Sequence, residues 1–389
     1  MNEIFASALS ELKQKDQLRK LSSFEGLPSK FIIRDQRRCL NLSSNNYLGL
    51  AQHPRLKEAA TRATVELGTG AGGSRLLGGG NKLFDALELR LNEIRPLGKG
   101  LVFNSGFAAN LGTLEVLSKI MGPIFSDKLN HASITEGLKL SGGQGTFQRY
   151  RHKDVTHLEE LLKKYLDPKK PGIVCTETLF SMDGDFAPIG EILSLQKKYG
   201  FFLYLDEAHS TGCYPEFLNA AVESGRKENN LLVMGTFGKA YGGFGAYVSG
   251  SESCIDYLIN HARSFIFSTA LPPSVIATAL EAIELVKEEP WRAGKLKAIS
   301  DFSRKLMKEV DLDLGMSESH ILPVIVGSNA DAIKLSDFLF HGGFHAPPIR
   351  HPTVPIGKAR LRINLTSEME EGEMIQLTET LVAGLKTLK

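Results

Sequence analysis

The middle of the chain alternates short apolar runs with longer stretches whose apolar residues recur at helical spacing. "GLVFNSG" precedes "FAANLGTLEVLSKI", "GIVCTETLF" precedes "IGEILSLQKKYG", and "FFLYLDEAHSTG" follows directly. Runs of Val, Ile, Leu and Phe bounded by turn residues predict buried strands, and the stretches between them predict helices. The pattern specifies an α/β domain around a mostly parallel central sheet. After residue 285 the texture changes. "WRAGKLKAISDFSRKLMKEV" predicts a long exposed helix, and "HILPVIVG", "ARLRINLTS" and "EGEMIQLTETLVAGLKTL" predict strand, strand and closing helix. The expected organisation is an N-terminal segment over 1–45, a large α/β domain over 46–285 and a smaller C-terminal α+β domain over 286–389.

With 389 residues and 42% hydrophobic content the chain can bury a sizeable core. Lys and Arg number 46 against 44 Asp and Glu, a formal net charge of +2 with the signs interspersed. That balance leaves no electrostatic footprint for nucleic acid or an anionic membrane, so neither is expected as a partner. The N-terminal "MNEIFASALSELKQKDQLRKLSS" lacks the continuous apolar core of a secretion signal, and no long apolar run suggests a membrane span. Cys39, Cys175, Cys213 and Cys254 are scattered without CxxC spacing, which implies neither a zinc site nor a disulfide framework and suits a reducing cytoplasm. His341 and His345 stand four apart in "HGGFHAPPIRH", but the glycines and prolines break the helix that would put them on one face. No metal site is expected.

Chemistry-bearing residues gather where predicted strands end, which is where open α/β sheets bind their ligands. "FFLYLDEAHSTG" delivers Asp206 and His209 at the end of an apolar run. A carboxylate at the mouth of a buried sheet is costly unless a cation or strong donor meets it. "GLVFNSGFAAN" ends in Ser105 and Gly106 before a helix, whose first N–H groups suit a phosphate. "TETLFSMDGDFAP" delivers Ser181, "LLVMGTFGKA" delivers Thr236 and then Lys239, and His131 opens a further helical run in "DKLNHASITEG". Taken singly, each has a bland reading: Asp206 as a turn cap, His131 as a structural histidine. "GTGAGGSRLLGGG" lacks the GK[ST] ending of a nucleotide loop and reads as a flexible turn.

Together these groups meet the demands of pyridoxal phosphate: a lysine to condense with its aldehyde, and an acid to hold its ring nitrogen protonated. Lys239 is the single lysine among the six glycines of "GTFGKAYGGFGAYVSG". Glycines there allow close backbone approach and leave the lysine room to swing away.

The ordered segments "SSNNYLGLAQHP", "GTGAGGSRLLGG", "NSGFAAN", "DKLNHASITEG", "TETLFSMDGDFAPI", "YLDEAHSTG", "GTFGKAYGG", "FIFSTALPP" and "IRHPTVPIGKARLR" resemble the α-oxoamine synthases. The resemblance spans nearly the whole chain. These are fold-type-I pyridoxal phosphate enzymes that join an amino acid to an acyl-CoA with loss of carbon dioxide. "GTFGKA" and "IRHPTVPIGKARLR" are most similar to the member that uses L-alanine and a pimeloyl group in biotin formation. Glycine with acetyl-CoA is the alternative pair, and a non-catalytic subunit of the same fold a remoter one.

The resemblance implies that Lys239 holds the cofactor aldehyde and that Asp206 faces the pyridine nitrogen. It places His209 at the ring hydroxyl and His131 on the ring face. Gly106 and Phe107 would serve the phosphate, with Ser181 and Thr236 nearby and Thr269 reaching the phosphate of a partner subunit in a homodimer. Arg362, assisted by Asn45, would hold the amino-acid carboxylate, and Arg19, Thr353 and Arg350 would line the acyl-CoA or acyl-carrier path. Two departures stand out. Phe84 occupies the place of a histidine that many relatives carry after the glycine-rich turn, and Phe107 stands where some use tyrosine.

Overall fold

A computed structural model describes residues 2–25, 29–140, 147–167, 169–214, 222 and 229–388. The backbone divides into two units. The first comprises Met1–Gln52, Ser181–Asp185 and Trp291–Lys389, and the second His53–Phe180 and Phe186–Pro290.

The first unit opens with the helix Asn2–Gln14, on which no side chain is buried. Strands β1 (Phe31–Arg34) and β2 (Arg37–Asn41) then form an antiparallel hairpin. Its two turn residues, Asp35 and Gln36, have φ of 49° and 62°, the left-handed pair whose twist matches that of the flanking strands.

The second unit carries β3 (Lys99–Phe103), β4 (Ile124–Asp127), β5 (Phe147–Tyr150), β6 (Ile173–Glu177), β7 (Phe202–Asp206), β8 (Leu231–Thr236) and β9 (Ala246–Gly250). Among the described residues these make a seven-stranded sheet in the order β3-β9-β8-β7-β6-β4-β5. Pairing is parallel from β8 through to β5, and β9 runs antiparallel to both its neighbours. Successive side chains of a strand face opposite sides, and here both sides are covered. Phe202 and Tyr204 pack with Leu114, Leu117 and Ile134 on one face. Leu203 and Leu205 pack with Leu158, Leu162 and Ile192 on the other. Each such side chain contributes about 1.5–3 kcal/mol on burial, which is why the strands are continuous apolar runs. The helices Gly106–Ile120, Ala132–Leu140 and Ile189–Tyr199 fall where helical spacing predicted them.

The chain returns to the first unit with β10 (Ile321–Gly327), β11 (Phe344–His345), β12 (Pro348–Ile349) and β13 (Ala359–Asn364). β13 lies between β10 and β12, antiparallel to both, and β11 adds to β2 in parallel. The expected long exposed helix is Trp291–Glu309, but it is amphipathic: Leu296, Ile299, Ser303 and Met307 are buried. Two serines and an alanine on or beside that stripe thin its apolar signal in the sequence. His341 ends the helix Asn329–His341 and His345 lies in β11, so the two belong to different elements. Among the described residues no three His, Cys, Asp or Glu side chains cluster as a metal site would require. Among them, too, no helix is long and apolar enough to cross a membrane.

Candidate active site

In the second unit, polar groups collect at the carboxyl ends of the strands. Glu177 and Asp206 pair in register as the last residues of β6 and β7, and Thr236 ends β8. The helix Gly106–Ile120 starts shortly after β3, with Ser105 as its cap accepting from the Ala108 amide at 3.2 Å. The amides of Gly106 and Phe107 open that helix and have no acceptor within it, the usual cradle for an anion. Gly106, Phe107, His131, Asp206, His209, Thr236 and Lys239 all line one cavity of about 210 Å³.

Lys239 sits in the loop between β8 and β9. The loop is tied by the Gly242 amide to the Lys239 carbonyl at 2.9 Å and the Gly243 amide to the Phe237 carbonyl at 2.8 Å. Gly245 closes it with φ of 97°, where an added Cβ would also meet the Leu271 side chain at 2.9 Å. The Thr236 hydroxyl donates to the Gly245 carbonyl at 2.9 Å and accepts from the Gly238 amide at 3.1 Å. Its proton is therefore committed to bracing the lysine loop, leaving a lone pair toward the cavity. Lys239 Nζ lies 2.7 Å from His209 Nε2.

Asp206 is 4% exposed. Its Oδ2 accepts from Asn110 Nδ2 at 2.8 Å and its Oδ1 from the Ala208 amide at 2.9 Å, and both donors are neutral. The next residue, Glu207, is fully buried and takes the Arg95 guanidinium at 3.0 and 3.2 Å, which anchors the turn after β7. Burial pushes the Glu207 carboxyl above its ordinary range, against the pull of Arg95. Burial, and then the charge of Asp206, push the Tyr204 hydroxyl well above its ordinary value, so Tyr204 keeps its proton and donates to Asn110 Oδ1 at 2.5 Å.

Three further polar residues line this cavity without having been singled out in the sequence: Asn110, Ser133 and Glu177. Glu177 Oε1 accepts from the His131 amide at 2.6 Å and so fixes where that histidine starts its helix. The position of Glu177 at a strand end, like that of Asp206, was an available signal. Asn110 and Ser133 are short polar residues inside helices, with nothing local to mark them.

Other expected residues are not among those lining this cavity. Thr269 is exposed, pairs with Ser74 in an isolated bridge, and accepts through its carbonyl from Asn104 Nδ2 at 2.8 Å. Ser181 is buried and begins the short segment Ser181–Asp185 of the first unit. In that unit Arg362, half-buried, donates from Nη2 to Asn45 Oδ1 and to the Tyr47 hydroxyl, each at 3.2 Å. Among the described residues no carboxylate pairs with Arg362, and its buried Nε has no acceptor. Arg19 Nη2 donates to the Thr353 hydroxyl at 3.1 Å, and Arg350 donates to the carbonyls of Asp16 and Leu18. Arg350 thus ties the end of the N-terminal segment within the first unit.

Phe84, where the resemblance leads to the expectation of a histidine, has a structural role of its own. Phe84 is 1% exposed, and the Arg75 guanidinium stacks over its ring at 4.1 Å while pairing with Glu88 at 2.5 and 3.3 Å. Glu88 in turn accepts from the Val102 amide at 3.1 Å, so the glycine-rich turn is braced onto β3 through a cation over an aromatic ring. Phe84→Ala is expected to cost about 3–5 kcal/mol, from lost burial and the cavity left behind. Urea denaturation checks this, and a loss under about 1 kcal/mol, that of a surface change, contradicts the bracing role.

These residues fit pyridoxal phosphate. Asp206 is a buried carboxylate met only by neutral donors, with no Lys, Arg or His nitrogen among the described residues in ion-pair range, and so retains room for a protonated ring nitrogen. A primary amine, a histidine beside it and open helix amides line the same cavity. Its volume, smaller than the roughly 300 Å³ at which pockets for drug-sized ligands begin, suits one substituted ring.

Residues 37–381 match the aminotransferase class I and II family. A protein of Bacillus cereus (strain G9842) named "Putative 8-amino-7-oxononanoate synthase" is 43% identical over 93% of this chain and 91% of its own length. A Bacillus anthracis protein of the same name is 43% identical over 92% of this chain and 91% of its own. Among solved structures, a serine palmitoyltransferase from S. paucimobilis with bound PLP superposes with a TM-score of 0.88 at 26% identity, covering 98% of this chain and 97% of that one. An 8-amino-7-oxononanoate synthase from Francisella tularensis gives a TM-score of 0.75 at 29% identity, covering 90% of this chain and 98% of that one.

Proposed function

We propose that this chain, which belongs to the aminotransferase class I and II family and within it to the α-oxoamine synthases, makes 8-amino-7-oxononanoate in biotin formation. It is an acyl-transferring enzyme that uses pyridoxal phosphate. The substrates are L-alanine and a pimeloyl thioester, carried on CoA or on a carrier protein. The products are 8-amino-7-oxononanoate, carbon dioxide and the free carrier thiol. Supporting the substrates are the names of relatives 43% identical over most of the chain. Supporting the reaction class is the single observation that Lys239 and a buried Asp206, met by no cation among the described residues, line one cavity.

When bound, the cofactor supplies an electron sink for the charge left on the substrate's α-carbon by loss of a proton or of carbon dioxide. The remaining work falls to the chain. Lys239 would hold the cofactor's aldehyde carbon through Nζ, and its amine, when free, would take the substrate's α-proton. An unperturbed lysine has a pKa of about 10.4, so its use as a base near neutral pH depends on its setting, of which His209 at 2.7 Å is part. Asp206 would accept a hydrogen bond from the protonated ring nitrogen and keep the proton there. The amides of Gly106 and Phe107 hold the phosphate, with Ser181 assigned to the same cofactor. Thr269 is assigned to the phosphate of a partner subunit, which makes the working species a homodimer. Arg362 takes the amino-acid carboxylate, on the strength of its open Nε and of having no acidic partner among the described residues, with Asn45 and Tyr47 fixing its plane. Arg19, Arg350 and Thr353 are assigned to the acyl thioester.

Release of free thiol from alanine plus pimeloyl-CoA, set against glycine plus acetyl-CoA, tests the substrate choice. The expected kcat/KM ratio favours the first pair by at least about tenfold, the discrimination available from small differences in apolar bulk. A ratio in favour of glycine and acetyl-CoA would replace this reading by glycine C-acetyltransferase.

A further inference from the structure

The helix Gly106–Ile120 buries an asparagine, Asn110, 1% exposed, among apolar neighbours. Its amide is fully engaged. Tyr204 donates to Oδ1 at 2.5 Å, and Nδ2 donates to Asp206 Oδ2 and to Ser133 Oγ, each at 2.8 Å. A carboxylate accepts and never donates, so the NH2 group must face Asp206, and Oδ1 is left to receive the Tyr204 proton. The orientation of the amide is thereby dictated by the aspartate.

The consequence passes one residue further. Ser133 Oγ, already accepting from Asn110, lies 2.7 Å from His131 Nδ1, and the Ser133 amide also donates to Nδ1 at 3.2 Å. A ring nitrogen receiving a backbone N–H is an acceptor, so the Ser133 amide assigns Nδ1 the lone pair. The Ser133 hydroxyl, accepting from Asn110, keeps its proton to give to the same nitrogen. A neutral imidazole then carries its proton on Nε2.

We propose that Asn110 and Ser133 are positioning residues that hold His131 in its Nε2–H form and tie that choice to the Asp206 side chain. The catalytic purpose of the arrangement rests on the function proposed above. In the condensation, an Nε2–H edge offers a donor to a carbonyl oxygen on which negative charge develops, whereas the other tautomer would offer it a lone pair. The relay Asp206–Asn110–Ser133–His131 therefore ties the group facing the cofactor nitrogen to the donor facing the acyl group.

Side-chain nitrogen-15 NMR of histidine-labelled holoenzyme tests this, with the His131 signals assigned by their absence in His131→Gln. The expected spectrum shows a bare, pyridine-type Nδ1 and a proton-bearing, pyrrole-type Nε2. In Ser133→Ala the two signals move toward each other as the tautomers mix. The same variant loses about five- to tenfold in kcat, the worth of one neutral hydrogen bond, with KM for alanine unchanged. Ser133→Thr, which keeps the hydroxyl, restores both. A parent protein whose Nδ1 carries the proton overturns the proposal, whether or not any variant folds, and so does a Ser133→Ala enzyme with parental signals and kcat. An Nε2–H histidine in a protein that turns over no alanine upholds the relay and removes the function. Normal product formation with an Nδ1–H histidine removes the relay and leaves the function standing.

Discussion

Lys239→Ala is expected to abolish turnover, by about 10⁴-fold or more, while leaving the fold in place. The side chain is half-buried on a loop whose geometry is set by backbone hydrogen bonds and glycines, so truncation opens no core cavity. Its stability should change by less than about 0.5 kcal/mol. On the proposed function the loss is chemical: one group would serve both as the amine that binds the cofactor aldehyde and as the base that removes the substrate's α-proton. Borohydride reduction followed by intact mass measurement separates these losses from misfolding. The parent should gain the mass of the reduced cofactor, and the variant should gain none while retaining its melting transition. A variant that still fixes the cofactor at parental stoichiometry would place the covalent link on another residue.

Asp206→Asn is expected to bind cofactor yet to slow exchange of the alanine α-proton by about 10²–10³-fold, the usual cost of removing one preorganised charge partner. The substitution preserves shape but not hydrogen bonding. Both carboxylate oxygens accept, one from Asn110 and one from the Ala208 amide, and an asparagine can satisfy only one of them. A buried donor is left without an acceptor, or Asn110 turns over and disturbs Tyr204 and Ser133. Stability should therefore fall by about 1–3 kcal/mol as well. Proton exchange followed by NMR in D2O, beside thermal melting, reads the two effects separately. Exchange at near the parental rate would refute the role of Asp206 in keeping the ring nitrogen protonated.

The sheet was legible in the sequence because its strands are buried on both faces and so appear as unbroken apolar runs, as in "FFLYL" and "LLVM". β9 was not, because "AYVSG" is short, follows a glycine-rich loop and carries a serine, with nothing to say that it would run antiparallel between β3 and β8. The hairpin of β1 and β2 escaped for a different reason. Its turn is Asp-Gln, lacking the glycine by which such turns are recognised, although both residues sit at positive φ. Residues with reactive groups at strand ends were legible by type and place: Asp206, His209, Lys239, Thr236 and the Gly106 helix start share one cavity. Residues that act through others were not. Asn110 and Ser133 acquire meaning only from a contact across 96 positions to Asp206 and one across 23 to each other. The replacement of a histidine by Phe84 likewise made sense only once Arg75 was seen stacked above the ring.

Whether Lys239 and Asp206 grip one pyridoxal ring is read from a crystal structure of the enzyme grown with the cofactor. Continuous density is expected from Lys239 Nζ to the cofactor, with the ring nitrogen within about 2.7–3.2 Å of the Asp206 carboxylate. A ring seated with its nitrogen turned away from Asp206, or joined to a different lysine, would contradict that grip.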